Sequence, residues 1–176
     1  TTSKPGPVTA AMLADKRVRK LSFTGSTGVG RTLLAEAAKS VVSCSMELGG
    51  NAPFLVFDDA DIDAALDGAM VAKMRNGGEA CTAANRFYVQ SGIHDAFVEG
   101  LTRRMAALKL GRGYDPDVQC GPMITTKAVE KIDRLVSEAK ARGARATTGG
   151  EPLGESGYYY PPTVLMDVPT DAALAQ

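Results

Sequence analysis

The sequence predicts an α/β protein, because segments with the two-residue period of a strand alternate along the chain with segments of helical period. Residues 41–48 carry apolar side chains at every second position, as a strand with one buried face requires. Residues 126–142 repeat their apolar side chains every three or four positions and are followed by Gly143, a residue type that often ends helices. This alternation indicates an α/β architecture.

The other predicted elements continue the alternation along the chain. Asp58 and Asp59 are expected to cap a helix, because a carboxylate accepts hydrogen bonds from the free N–H groups of a first helical turn. Strands are predicted at 19–24, 41–48, 53–57, 86–90 and 145–147, with an extended segment at 158–165; helices are predicted at 7–15, 29–40, about 59–76, 94–109 and 126–142.

The composition is that of a globular protein without net charge. Twenty basic and twenty acidic side chains cancel, so there is no basic excess of the kind that favours nucleic acid. No apolar run approaches the length of a membrane span, and no signal peptide is visible. We therefore expect a small-molecule partner, with no binding to nucleic acid or membrane.

The cysteines and the single histidine give no sign of a disulfide framework or a metal site. Cys44, Cys81 and Cys120 are widely separated and odd in number, which favours a reducing compartment. One histidine, His94, cannot build a histidine-rich metal site, and no two cysteines have the spacing of zinc ligands. We expect a cytoplasmic protein with no metal.

A glycine-rich turn follows the predicted strand at 19–24. Residues 25–30 connect this strand directly to a helix. Strand, glycine turn and helix in this order form a phosphate site, where free N–H groups and the helix dipole face the anion. A tight turn without a ligand has the same pattern, so both interpretations stand at this point.

The same glycines come close to the phosphate loop of nucleotide triphosphatases. Residues 25–32 read as glycine, four residues, glycine, and then Arg31 and Thr32. Arginine stands where that motif requires lysine to reach the phosphates as a compact charge. The dinucleotide-binding pattern G-x-G-x-x-G is also not matched. A P-loop-type nucleotide-binding protein that uses residues 25–32 is the alternative function.

Cys81 lies in a loop between a predicted helix and a predicted strand. The surrounding segment, residues 77–86, begins with two glycines and has alanine at three positions, which leaves space around the sulfur. Loops of this kind between regular elements often carry catalytic residues. Cysteine is also frequently a small buried hydrophobe, so the loop alone leaves both interpretations open.

Glu47 stands near the carboxyl end of the predicted strand 41–48, on the face opposite the apolar one. Ligands of open α/β sheets bind at the carboxyl ends of the strands. A glutamate at a strand end is also commonly a solvated charge. The position therefore favours a functional role only in combination with other residues.

Three segments together resemble the aldehyde dehydrogenase superfamily: FTGSTGVG at 23–30, MELGGNAP at 46–53 and NGGEACTAANR at 76–86. The resemblance extends along the whole chain but covers only the middle of such an enzyme. It implies an aldehyde dehydrogenase-like fold. Residues 1–48 would be the C-terminal part of a Rossmann-type NAD(P)-binding domain. Residues 49–176 would form most of a parallel α/β catalytic domain, incomplete at its C-terminus.

The resemblance also implies a role for individual residues and a cofactor, NAD or NADP. Cys81 matches the nucleophile that forms a thiohemiacetal and then a thioester, and Glu47 matches the glutamate that activates the hydrolytic water. The residues that match the cofactor site are Gly25 and Ser26 beside the pyrophosphate, Val29 nearby, and Leu48 near the nicotinamide.

Arg75 indicates the substrate. It lies six positions before Cys81 and resembles the arginine with which succinate-semialdehyde dehydrogenases hold the distal carboxylate of their substrate. A planar guanidinium suits such bidentate recognition. A surface arginine at the end of a helix is the alternative interpretation, because the helix dipole favours a cation there.

The resemblance further implies that the chain is a fragment of a longer enzyme, which would form a homo-oligomer. The family's lysine and glutamate for the cofactor, and the asparagine of its oxyanion hole, would lie before residue 1. We therefore expect little or no activity from the isolated 176 residues.

Overall fold

The computed structural model describes residues 3–154 and 157–176, which divide into two units, one up to Gly50 and the other from Asn51. The first unit contains α1 (Pro5–Ala14), β1 (Lys20–Gly25), α2 (Thr27–Ala38) and β2 (Ser43–Leu48). The second unit contains β3 (Ala52–Val56), α3 (Ile62–Met74), β4 (Ala84–Val89), α4 (His94–Ala106), α5 (Thr126–Ala141), β5 (Arg145–Thr148) and β6 (Val164–Met166).

The first unit is a two-stranded parallel sheet whose strands are connected by α2. Lys20 of β1 pairs with Ser43 of β2, and the register continues to Gly25 opposite Leu48. Exposure alternates along β2, which confirms the predicted strand with one packed face. Gly30 lets α2 approach this sheet, because a Cβ there would lie 2.8 Å from Cδ2 of Leu48.

The second unit is built around the parallel pair β3–β4 and its two packed helices, α3 and α4. The ring centroids of Phe87 on β4 and Phe97 on α4 lie 6.2 Å apart, and the ring of Phe54 on β3 lies 5.3 Å from that of Phe87, tilted by 37°. Apolar burial of this kind is the main favourable contribution to folding. The buried cluster consists of Val56, Leu66, Ala69, Phe97, Leu101 and Met105.

Helix α3 begins later than the sequence predicts. Its N-cap is Asp61, whose Oδ1 accepts a hydrogen bond from the backbone N–H of Ala64 at 3.0 Å. The prediction that Asp58 and Asp59 cap this helix is wrong. The N–H of Asp58 donates instead to Oε1 of Gln90 at 2.7 Å, which holds this part of the chain in a turn.

The last two strands depart from the predicted parallel arrangement. Strands β5 and β6 pair antiparallel, from Arg145 opposite Met166 to Thr148 opposite Val164. No helix lies between them in the described residues, and without a helical crossover consecutive strands pair most readily in opposite directions. The preceding helix, α5, ends as predicted, with Gly143 at φ +105°.

No helix among the described residues is both long enough and apolar enough to cross a membrane.

The contact between α3 and α4 gives a matched pair of glycine substitutions. A Cβ on Gly100 of α4 would overlap the side chain of Leu66, whereas a Cβ on the exposed Gly68 of α3 would come no closer than 3.8 Å to Phe54. We expect Gly100→Ala to destabilise the full-length protein by about 1–3 kcal/mol through overpacking. Gly68→Ala should leave stability unchanged or raise it by up to about 1 kcal/mol, since alanine favours a helix.

The measurement is urea unfolding of the two variants and the wild type under identical conditions. Equal stability of the Gly100→Ala variant and the wild type would contradict the close packing of α3 against α4.

Candidate active site

The loop that carries Cys81 begins where α3 stops at Met74. Residues 75–78 form a tight reversal of the chain that contains three successive positive φ angles: 52° at Asn76, 64° at Gly77 and 85° at Gly78. Left-handed backbone is adopted readily only by glycine and, to a lesser extent, by asparagine. The helix predicted to reach about residue 76 therefore ends two residues earlier.

Cys81 itself lies in a tight turn between this reversal and β4. The N–H of Ala83 donates to the carbonyl of Ala80 at 2.9 Å, and the Cys81 side chain is exposed. Ala83 and Ala84, which follow in the chain, are each 3% exposed, so the turn is anchored at its C-terminal end. The interpretation of Cys81 as a buried hydrophobe is therefore wrong.

The other two cysteines lie in different surroundings. Cys120 is buried, and burial together with the charge of Glu79 raises the pKa of its thiol. Cys44 is half-buried on the packed face of β2. Because attack requires an accessible thiolate, Cys81 is the best placed nucleophile among the three.

Arg75 is exposed at the end of α3 on the same loop as Cys81. Among the described residues its guanidinium has neither a hydrogen bond nor an ion pair, in contrast to Arg104, which contacts Asp63 and Asp67. The Arg75 side chain is therefore available to a ligand carboxylate.

In the first unit, the predicted residues meet at the carboxyl edge of the β1–β2 sheet. The parallel register sets Thr24 opposite Glu47 and Gly25 opposite Leu48. Glu47 is exposed, and the side chain of Leu48 packs beneath Gly30 of α2. This edge also contains the start of α2, so a carboxylate and a helix N-terminus lie at the same end of one sheet.

The start of α2 has the features of a phosphate site. Ser26 is the N-cap, and its Oγ accepts the N–H of Val29 at 3.4 Å. Within the described part of the chain, no hydrogen bond uses the N–H groups of Thr27 and Gly28. Thr27 and Gly28 are exposed, and a Cβ on Gly28 would meet nothing within 4 Å, so no other part of the described chain covers Gly28. Free N–H groups at a helix N-terminus fit an anionic phosphate.

The P-loop alternative gains no support from this geometry. A P-loop needs an extended loop whose N–H groups surround the phosphates before the helix begins. Here residues 27–30 already form the first turn of α2, and the N–H of Gly30 donates to the carbonyl of Ser26 at 2.9 Å. The requirement for glycine at position 30 is explained by packing against Leu48.

The predicted residues thus form two groups, each described within its own unit. Gly25, Ser26, Val29, Glu47 and Leu48 lie around the carboxyl edge of the first sheet and the start of α2. Arg75 and Cys81 lie on the loop between α3 and β4.

Sequence reasoning missed one charged residue beside the Cys81 loop. Lys73 belongs to the last turn of α3 and is half-buried, and burial lowers the pKa of its ammonium group. A lysine near the end of a helix is ordinarily a solvated residue that complements the dipole. Nothing in the local sequence pattern distinguishes Lys73 from such a residue.

The profile of the aldehyde dehydrogenase family matches residues 2–176 of this sequence. The chain therefore belongs to the aldehyde dehydrogenase family, and the resemblance identified from its three motifs is confirmed.

Succinate-semialdehyde dehydrogenase of Paenarthrobacter nicotinovorans is 52% identical over 174 residues, which cover 99% of this chain and 39% of that protein. Glutarate-semialdehyde dehydrogenase of Pseudomonas aeruginosa is 46% identical over 175 residues, covering 99% of this chain and 36% of the relative. A crystal structure described as an E. coli NADP dependent enzyme has a TM-score of 0.94 at 46% identity, covering 99% of this chain and 36% of that one.

The chain thus spans less than two fifths of the length of these proteins. The structural likeness confirms the predicted aldehyde dehydrogenase-like α/β fold.

Proposed function

We propose that this chain is the central part of an NAD(P)-dependent aldehyde dehydrogenase that oxidises an aldehyde with a distal carboxylate, most simply succinate semialdehyde. The observation that carries the proposal is the exposed Cys81 on a left-handed loop within the family's cysteine motif. The shared family and the names of the relatives support it.

In this proposal Cys81 is the nucleophile. Its thiolate attacks the aldehyde carbon, which forms a C–S bond and places negative charge on the former carbonyl oxygen. The backbone N–H of Cys81 makes no hydrogen bond within the described residues, so it is free to donate to that oxygen. A preorganised donor of this kind typically contributes about 10²–10³ in rate.

Glu47 acts in the second half of the reaction. Once the carbon has been oxidised, a thioester joins the acyl group to Cys81. The Glu47 carboxylate removes a proton from a water molecule, whose oxygen attacks the thioester carbon and releases the carboxylic acid and the thiolate. The exposed position of Glu47 at the sheet edge is compatible with access to water.

The start of α2 would hold the dinucleotide. The N–H groups of the exposed Thr27 and Gly28 make no hydrogen bond within the described residues and suit its pyrophosphate, with Gly25 and Ser26 beside it. Val29 and Leu48 provide apolar contacts, the latter toward the nicotinamide. When bound, the dinucleotide accepts the hydride from the substrate carbon.

Arg75 would determine which aldehyde is preferred. Two relatives are named for semialdehydes whose far end is a carboxylate. An exposed guanidinium that has no partner among the described residues fits such a group through two parallel hydrogen bonds.

Replacing Arg75 by methionine in the full-length protein should therefore lower kcat/KM for succinate semialdehyde by about 10²–10³-fold, because a charge-assisted bidentate contact is lost. The same variant should oxidise propanal within about threefold of the wild-type rate. Arg134→Met, which removes an exposed arginine of α5, is the matched control. An equal loss on both aldehydes would contradict carboxylate recognition by Arg75.

The function as a whole is tested by measuring NADH and NADPH formation from a panel of aldehydes with the purified full-length protein. Preference for succinate semialdehyde over uncharged aldehydes is expected. No oxidation of any aldehyde with either dinucleotide would refute the proposed function.

We also propose that the full-length protein is a homo-oligomer in the cytoplasm. A monomer mass measured by light scattering would contradict the homo-oligomer.

A further inference from the structure

Lys73 contacts the loop of Cys81 on both sides of the cysteine. Its Nζ donates to Oδ1 of Asn85 at 2.6 Å, and Asn85 is the second residue of β4. The lysine side chain also lies against Gly78, where an added Cβ would be 3.3 Å from Cε of Lys73 and 3.4 Å from its Nζ. These contacts fall three residues before Cys81 and four residues after it.

The charge of Lys73 is not neutralised by a carboxylate. Within residues 3–154 and 157–176, no acidic group lies within ion-pair distance of its Nζ, and the amide oxygen of Asn85 is the acceptor it uses. Burial without a counter-ion disfavours an ammonium group, which is why the pKa of Lys73 is lowered. A lysine with a purely solvated role would avoid this cost by extending into water.

The loop beside Lys73 needs a contact that fixes it. The glycines at positions 77 and 78 adopt positive φ angles readily, but Asn76 does so at a cost, and such backbone persists only where its surroundings determine it. Side chains of residues 75–85 make a single hydrogen bond to a side chain elsewhere in the described residues. It is the bond that Asn85 accepts from Lys73.

We propose that Lys73 is a positioning residue for Cys81. It ties the left-handed reversal after α3 to the start of β4, so that the turn at residues 80–83 presents the thiol in one orientation. The assignment rests on the proposed function, in which Cys81 attacks the aldehyde. Lys73 does not touch the substrate in this account and acts through Asn85 and Gly78.

The test uses Lys73→Met, Asn85→Leu and the double variant in the full-length protein. Each single variant should lower kcat by about 10- to 100-fold, since small displacements of a reacting group have effects of this size. The KM values for aldehyde and dinucleotide should change by less than about threefold, because Lys73 contacts neither. The double variant should be no slower than the slower single variant, since both remove the same contact.

Two further variants separate positioning from general destabilisation. Asn85→Asp keeps an acceptor oxygen for Lys73 and should retain kcat within about threefold of wild type. Lys127→Met removes an exposed lysine of α5 and should leave kcat unchanged. Unchanged kcat in Lys73→Met and Asn85→Leu, multiplicative losses in the double variant, or an Asn85→Asp variant as slow as Asn85→Leu would each overturn the proposal.

Hydrogen exchange of the free protein gives a readout that needs no turnover. Amides of residues 75–85 should exchange at least about tenfold faster in Lys73→Met than in wild type, and at wild-type rates in Asn85→Asp. If exchange changes in this way but the wild-type protein oxidises no aldehyde, the proposed function fails and the loop contact stands. If the wild-type protein is active but residues 75–85 exchange equally fast in Lys73→Met and in wild type, the positioning role of Lys73 is refuted.

Discussion

Replacement of Cys81 by alanine in the full-length protein is expected to abolish aldehyde oxidation, with kcat lowered by at least about 10⁴-fold. The loss is this large because alanine has no atom that can form the C–S bond, and without that bond neither half of the reaction proceeds. Stability should be almost unaffected, since the side chain is exposed. Steady-state assays with succinate semialdehyde and either dinucleotide measure the effect.

The other two cysteines provide matched controls. Cys44, which is half-buried on β2, is replaced by serine, and the buried Cys120 is replaced by alanine. Both should retain kcat within about threefold, although Cys120→Ala should lower stability by about 1 kcal/mol because it leaves a small cavity. Wild-type turnover by the Cys81→Ala variant would refute the assignment of the nucleophile.

Replacement of Glu47 by glutamine should have the second largest effect. We expect steady-state turnover to fall by about 10³-fold, because a general base of this type contributes about 10²–10⁴. The first half of the reaction does not require this base, so a rapid burst of about one reduced dinucleotide per active site should remain. Stopped-flow measurement of the burst separates the two halves.

Glu36→Gln on α2 is the control for loss of a carboxylate in the first unit. Glu36 pairs with Lys39 at 2.7 Å and should be dispensable for both the burst and turnover. A Glu47→Gln variant that loses the burst in proportion to its turnover would contradict the assignment of Glu47 to hydrolysis.

Regular periodicity explains why much of the fold could be predicted. The apolar alternation of β2 and the helical repeat of α5 up to Gly143 both correspond to elements in the structure. Each pattern arises because one face of the element packs against the rest of the protein. The exact start of α3 could not be predicted. Several aspartates near it are equally good caps, and a tertiary hydrogen bond from the N–H of Asp58 to Gln90 holds Asp58 in a turn, so that Asp61 is the residue that caps the helix.

The backbone of the Cys81 loop could be predicted in part from its own residues, whereas its tertiary contact could not. Its two glycines permit left-handed backbone, and the structure has positive φ at both. The positive φ of Asn76 extends this reversal one residue further than the glycines indicate. The contact between Lys73 and Asn85 joins residues twelve positions apart, and no local pattern reports it.

Trapping the acyl-enzyme tests most directly whether Cys81 is the nucleophile. The Glu47→Gln variant is mixed with succinate semialdehyde and the dinucleotide, quenched in acid during the burst, digested and analysed by mass spectrometry. A succinyl group is expected on the peptide that contains Cys81 and on neither of the peptides with Cys44 and Cys120. A succinyl group on another cysteine, or a full burst without any acylated peptide, would contradict the assignment of Cys81 as the nucleophile.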